Sequence, residues 1–238
     1  MNRALCLVAA SEAEFRAATS LFRDTAIAVE DGLKIARSGE FAVLKSGIGA
    51  VDFAEKFSAH LSSNVYDAVL VAGFAGALDP QLRKLDVVVY NRCRTARDFL
   101  DCDPALTAKV AAAVGGVRGT GLTVPKVVSE ATEKRKLWEL YDAVAVDMET
   151  HQVLDVCARQ RVAATALRVI SDEVSEDIPD FNRALGADGR IMGSRLPRVL
   201  IARPLATWRF LASMKPAMKT LKGALDAVLK LNPNLARN

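Results

Sequence analysis

The chain has 238 residues, 51% of them hydrophobic, with 32 Lys and Arg against 28 Asp and Glu. That is an ordinary globular balance for one α/β unit, with no apolar run long enough to span a bilayer. Four scattered cysteines and two histidines form no zinc spacing, and acids follow the short apolar N-terminal run too soon for a secretory signal, so a reduced, cytoplasmic protein without a metal is expected.

Residues 3–10, RALCLVAA, read as a buried first strand. SEAEFRAATSLF follows with helical spacing, placing Phe15, Ala18 and Leu21 or Phe22 on one face. Ser11 and Glu14 stand at capping-box spacing. Glu14 therefore has two readings, a helix cap or a carboxylate at the mouth of the first strand. Residues 25–46 read as short strands joined by turns, the first turn at Asp31-Gly32.

Gly47-Ile48-Gly49 makes a tight connection into the helix AVDFAEKFSAHLSS. Such glycines let backbone approach a ligand closely. The pattern is neither GxGxxG nor GxxxxGK[ST], so nucleotide binding through those loops is not supported. His60 falls near the end of that helix, where a cation suits the dipole, and receives no chemical role.

Residues 67–73, DAVLVAG, form the best central strand, followed by a small-residue turn over 74–80. Residues 85–93 read as a strand, ALTAKVAAAV as a short helix, and 117–129 as extended chain broken at Pro125. EATEKRKLWEL reads as a charged surface helix whose Lys134-Arg135-Lys136 run is expected to be solvated.

The stretch from Ala145 to His151, AVDMETH, runs from a buried strand into a helix, with Asp147 and Glu149 flanking Met148. In open parallel sheets, ligands bind outside the carboxyl ends of strands. A pair of acids there could grip hydroxyls, with the thioether packing against a flat or apolar group. The plainer alternative is that Glu149 and Thr150 begin a helix whose dipole favours acids. Asp147 reads as a solvated strand-end acid, and His151 as a helix-face residue. A further strand over 163–172 ends on Asp172. Alternating strands and helices with valine-rich strands indicate an α/β fold with a mainly parallel or mixed sheet.

From Arg183 onward there are 11 basic residues against 2 acidic ones, so the positive charge belongs to the C-terminal region. Trp208 and Phe210 stand among its arginines. The favoured reading is a helix packed on the body with a basic outer face. The alternative is a basic amphipathic helix making contact with an anionic membrane surface. No nucleic-acid partner is expected, because no reading motif accompanies the charge.

SGIGAVDFAEKFSAHL, LVAGFAGALDPQLRKLDVVV, VAVDMETHQVLDVCA and ALRVISD, in this order and spacing, resemble the purine nucleoside and uridine phosphorylase superfamily over residues 4 to about 175. Within it, the chain is similar to the 5′-methylthioadenosine/S-adenosylhomocysteine nucleosidases and to the hopanoid-associated phosphorylases, the latter also in its tail. The resemblance implies a three-layer α/β fold around a central mixed sheet. It implies a domain over 1–182 and a basic helical extension over 183–238 packed on it. It implies an enzyme that cleaves the ribosidic C–N bond of a purine-type nucleoside, by hydrolysis or phosphorolysis, and that forms a homo-oligomer. No cofactor is implied, with phosphate as co-substrate only in phosphorolysis. Adenosylhopane is an alternative substrate, and a non-catalytic nucleoside-binding protein is an alternative function.

Carried over by resemblance, Asp172 would protonate or hydrogen-bond purine N7, and Glu14 would position the attacking water. Glu149 would accept from the ribose hydroxyls, since an ionised carboxylate has lone pairs for both. Met148 would pack on the ribose and Arg168 would support the site. Ile48, Gly73, Phe74, Val127 and Val128 would line the sugar and base, and Phe181 would stack on the base. Asp172 would need to hold a proton near neutral pH, which burial in an apolar pocket favours. The turn AASEAEF lacks glycine and carries Glu12 and Glu14, which disfavours an anion; Lys45 and Arg168 are the nearest cations. Hydrolysis is slightly preferred on that basis. Against it, Phe74 stands where the nucleosidases have a serine beside the water.

Overall fold

The computed structural model describes residues 5–50, 52–186 and 192–231. Of the region 183–238, residues 187–191 and 232–238 lie outside the described residues. In chain order, β1 (Leu5–Ala9) leads into α1 (Glu12–Thr19), then β2 (Ala26–Glu30), β3 (Leu33–Ser38) and β4 (Phe41–Lys45). A 3-10 turn at Ile48–Ala50 precedes α2 (Phe53–Ser63), β5 (Ala68–Ala77), β6 (Val87–Arg94) and β7 (Phe99–Asp101). There follow α3 (Pro104–Val114), β8 (Val117–Thr123), α4 (Ala131–Tyr141), β9 (Ala145–Asp147), α5 (Thr150–Gln160) and β10 (Ala163–Asp172). A second 3-10 turn, Phe181–Ala184, comes before α6 (Leu196–Ala202) and α7 (Pro204–Leu229).

The strands form one mixed sheet. β5, β10, β6, β8 and β9 pair in succession and β9 returns to β5, so these five close into a ring. β1, β4, β3 and β2 extend from β5 as a wing. Along β1 the side chains alternate: Cys6 and Val8 enter one core, Leu5, Leu7 and Ala9 the other. The first core packs against α2 and α5 through Phe53, Phe57, Val153 and Leu154. The second packs against α1, α3 and α7 through Phe15, Leu106, Val110, Leu221 and Val228. The fold is thus α/β with a central mixed sheet between helical layers.

Two elements differ from the sequence reading. Residues 74–77 were expected in a turn, yet β5 continues through them. β10 runs beside it as far as Gly76 and β9 crosses it at Gly76 and Ala77, so these small residues have ladder partners. The extended stretch 117–129 is strand only as far as Thr123.

α7 divides at Pro216, which cannot donate the helix bond to the Ala212 carbonyl. Beyond it, Ala217, Leu221, Ala224, Leu225 and Val228 are buried in the second core. Before it, Leu205, Trp208 and Leu211 are more than half exposed.

Candidate active site

A cavity of about 320 Å³ opens where the C-terminal ends of β1, β5 and β10 meet β9 and the start of α5. Glu14, Asp147, Glu149 and Asp172 all stand in its wall, and the remainder is largely apolar. All four acids are buried. Buried carboxylates are costly unless paired, so their partners define the site.

Glu14 caps α1 and also stands at the mouth of β1, in the cavity wall. Its Oε2 accepts the Ser11 N–H at 2.7 Å while Ser11 Oγ accepts the Glu14 N–H at 3.2 Å, completing the capping box of α1. Its Oε1 accepts the Phe74 N–H at 2.9 Å, across the sheet. This bond involves the backbone of Phe74, so it does not depend on the side chain there. Gly73 stands behind the cavity wall: a Cβ on it would lie 2.3 Å from Glu14 Oε1 and 2.9 Å from Arg168 Nη1. Its role in the geometry is to leave room for those two groups.

Asp147 is not a solvated strand-end acid. Its Oδ1 accepts from Thr123 Oγ1 at 2.8 Å and from the Glu149 and Thr150 amides at 3.1 and 3.0 Å. Its Oδ2 accepts from Thr150 Oγ1 at 2.5 Å. Asp147 therefore takes the Glu149 and Thr150 amides at the start of α5, and Thr123 Oγ1 accepts that of His151 at 3.1 Å. Glu149 is left facing the cavity, with Oε1 accepting the Gly49 N–H at 2.9 Å. The Gly-Ile-Gly connection thus spends its close backbone approach on Glu149. Gly49 adopts φ 76°, a left-handed conformation suited to glycine.

Arg168 is 1% exposed, outside the cavity wall, and faces both acids. Its Nε lies 3.3 Å from Asp147 Oδ2, an ion pair without hydrogen-bond geometry, and its Nη2 lies 3.5 Å from Glu149 Oε2. Nη2 also donates to Thr150 Oγ1 at 2.7 Å. Burial would lower the guanidinium pKa, but the facing carboxylates reverse this and raise it overall, so Arg168 stays charged. For Glu149, burial outweighs Arg168, and its pKa is pushed up to about 7.

Asp172 ends β10 after an irregularity. Ile170 pairs with Ala75, yet Asp172 pairs with Gly76, so Ser171 is an extra residue in the ladder. Such a bulge breaks the two-residue alternation and re-aims the following side chain. Ser171 Oγ lies 2.6 Å from Asp172 Oδ1 and 3.2 Å from the Ala75 carbonyl; its single proton serves one at a time. Asp172 Oδ2 is in contact with Lys134 Nζ. Lys134 is fully buried, contrary to the solvated run expected from the sequence. The available signal was its place on α4: it shares the inward face with Ala131, Leu137 and Tyr141.

The apolar wall includes Ile48, Phe74, Met148, Val127, Val128 and Phe181. Asn182 clasps Val127, its Oδ1 accepting the Val127 N–H and its Nδ2 donating to the Val127 carbonyl, both at 2.8 Å. That clasp fixes the turn carrying Phe181, whose ring centroid lies 5.1 Å from that of Phe210. Phe210 and Met214 bring α7 into the wall; neither they nor Asn182 and Lys134 carried a sequence motif. His151 lies outside the wall, 3.4 Å from Asp98. His60 does lie in the last turn of α2, but it is buried against the Tyr66 hydroxyl at 2.9 Å, and burial lowers its pKa. Among the described residues no cluster of His, Cys, Asp and Glu suits a metal ion.

A family model described as the phosphorylase superfamily matches residues 5–201. The chain is similar to the 5′-methylthioadenosine/S-adenosylhomocysteine nucleosidase of Helicobacter pylori solved with butyl-thio-DADMe-Immucillin-A, at 19% identity, 97% of this chain, 99% of that one and a TM-score of 0.76. It is similar to the futalosine hydrolase of the same organism, at 19% identity, 97% and 98% coverage and a TM-score of 0.76. It is also similar to the S-adenosylhomocysteine nucleosidase of Streptococcus pyogenes solved with 5-methylthiotubericidin, at 18% identity, 98% coverage of both chains and a TM-score of 0.76. At these identities the likeness is one of fold. Comparison with curated proteins returns no match.

Proposed function

The chain belongs to the phosphorylase superfamily, and from that premise we propose that it cleaves the ribosidic C–N bond of a purine-type nucleoside. The observation that carries this reading is the convergence of Glu14, Glu149 and Asp172 on one largely apolar cavity. Cleavage builds positive charge on the ribose ring and negative charge on the departing base. Asp172 gives or shares a proton with the base at N7. Glu149 accepts from the ribose hydroxyls and favours the cationic sugar. Glu14, pinned by two backbone amides, orients the attacking water. Met148 and Ile48 pack on the sugar, and Phe181 on the base.

Water is the favoured nucleophile. A bound phosphate needs cations with free donors. Lys45 lies 3.1 Å from Glu12, which Lys34 also holds, and these contacts lower the Glu12 pKa to about 2. Lys126 lies 3.0 Å from Glu133, and Arg168 faces Asp147 and Glu149. These cations are therefore already matched by carboxylates. Incubation with adenosine, inosine and methylthioadenosine, with and without phosphate, tests the reading. Free base without phosphate is the expected result. Release only with phosphate would make the protein a phosphorylase, and thermal stabilisation by a nucleoside without release would make it a binding protein.

A second reading concerns the substrate. α7 lines the cavity with Phe210 and Met214, while Ile201, Leu205, Trp208 and Leu211 stand exposed beside them at 76%, 59%, 68% and 54%. Arg198 and Arg209 are exposed among them. An apolar stripe with basic neighbours suits an anionic lipid surface. It favours a nucleoside bearing a long apolar 5′ group, of the adenosylhopane kind, taken from a membrane. No described helix is long and apolar enough to cross a membrane.

A further inference from the structure

Lys134 breaks several local rules together. It lies in the first turn of α4, where the helix dipole disfavours a cation. It is fully buried, which lysine almost never is unless paired. Its Nζ meets Asp172 Oδ2 and the carbonyls of Glu173 and Glu176, the latter two at 3.0 and 2.8 Å. An ammonium has three N–H donors, and these three acceptors match them. The loop that offers the carbonyls is tied from outside by Lys84 to Glu176 at 2.6 Å and by Arg83 to Glu173 at 3.6 Å. Lys134 itself stays behind the cavity wall and touches Asp172. Violations of local preference that the surrounding structure supports in this way concentrate at functional sites.

On the reading that this site cleaves a purine nucleoside, we infer that Lys134 is a positioning residue for Asp172, holding its carboxyl group towards the base and stabilising the carboxylate left after proton transfer. In that step the C1′–N9 bond breaks with both electrons passing to the base. The Asp172 proton goes to N7, and the O–H electron pair stays on the carboxylate, opposite the Lys134 ammonium, which keeps its own proton. The water oxygen bonds to C1′ and its proton passes to Glu14. The ammonium disfavours a proton on Asp172 before reaction and favours the carboxylate after it, so it speeds transfer only from an Asp172 already loaded with a proton, and Lys134 assists only where the leaving group needs that proton.

The test compares two leaving groups. Lys134→Met is assayed on the best purine nucleoside and on p-nitrophenyl β-D-ribofuranoside, whose phenolate leaves without protonation. We expect kcat for the purine substrate to fall about 100-fold at nearly unchanged KM, the range typical of acid assistance, with the phenolic substrate nearly unaffected. We also expect no further loss when Lys134→Met is added to Asp172→Asn. Equal losses on both substrates, or a further loss in the Asp172→Asn background, would overturn the inference. If the phenolic substrate is not turned over by the parent protein, the double variant decides. If Lys134→Met does not fold, Lys134→Gln takes its place in the same measurements. A parent protein that releases no purine from any nucleoside would instead defeat the functional reading on which this one rests.

Discussion

Gly73 and Glu14 are complementary: the side chain that Gly73 lacks would fall on the Glu14 carboxylate, 2.3 Å from Oε1. The same missing Cβ admits Arg168 on the neighbouring strand, which pairs with Gly73 in the ladder. One glycine thus lets an acid from α1 and a base from β10 meet β5 at a single point.

Gly73→Ala should therefore displace Glu14 from the Phe74 amide. Overpacking of this kind costs about 1–3 kcal/mol. We expect a lower Tm and a kcat reduced by at least about tenfold, with Glu14 no longer in place to orient water. Thermal denaturation and steady-state kinetics on the same preparation check both; wild-type activity would show that Glu14 has no catalytic part.

Asp172→Asn should slow purine release severely while nucleoside binding is partly retained, because the amide keeps the shape but cannot give up a proton in the same way. A loss of about 10²–10⁴ in kcat is expected. Single-turnover assays and calorimetric titration with methylthioadenosine separate the two effects. Near-normal turnover would remove Asp172 from the mechanism.

Glu149 gives a pH dependence with a definite sign. Its pKa in the folded protein is raised to about 7 from the ordinary 4.5, burial being the largest cause. The folded state therefore holds this proton more tightly than the unfolded chain. Its contribution is fully present below about pH 4.5, fades as pH rises to about 7, and is lost above that. Glu149→Gln should flatten this part of the stability–pH curve, an effect on the order of 1–3 kcal/mol. Urea denaturation at pH 5 and pH 8 measures it; an unchanged difference between the two pH values would contradict the assignment. The same substitution should raise KM for ribosides by weakening the grip on the hydroxyls.

The outward stripe of α7 offers a surface test. Leu205→Glu combined with Trp208→Glu should abolish sedimentation with phosphatidylglycerol vesicles while turnover of a small nucleoside stays within about twofold, since exposed substitutions rarely move stability far. Parent protein that ignores such vesicles would dispose of the membrane reading without touching nucleoside cleavage.

Much of the fold was written locally. Continuous apolar runs such as LCLVA and the valine-rich stretches specify strands buried on both faces, and Ser11 with Glu14 specifies the start of α1, because these signals lie within a few residues of one another in the chain. The strand-end acids Glu149 and Asp172 were visible for the same reason. The partners of those acids were not. Gly49 reaches Glu149 across 100 residues, and Lys134 reaches Asp172 across 38. The chain periodicity also could not tell that Asp147 would be buried against Arg168, or that Phe74 to Ala77 would extend a strand. Those outcomes depend on the closure of β5, β10, β6, β8 and β9 and on the extra residue Ser171. Periodicity determines which face of its own element a side chain occupies; only the pairing of distant elements determines which charge it meets there.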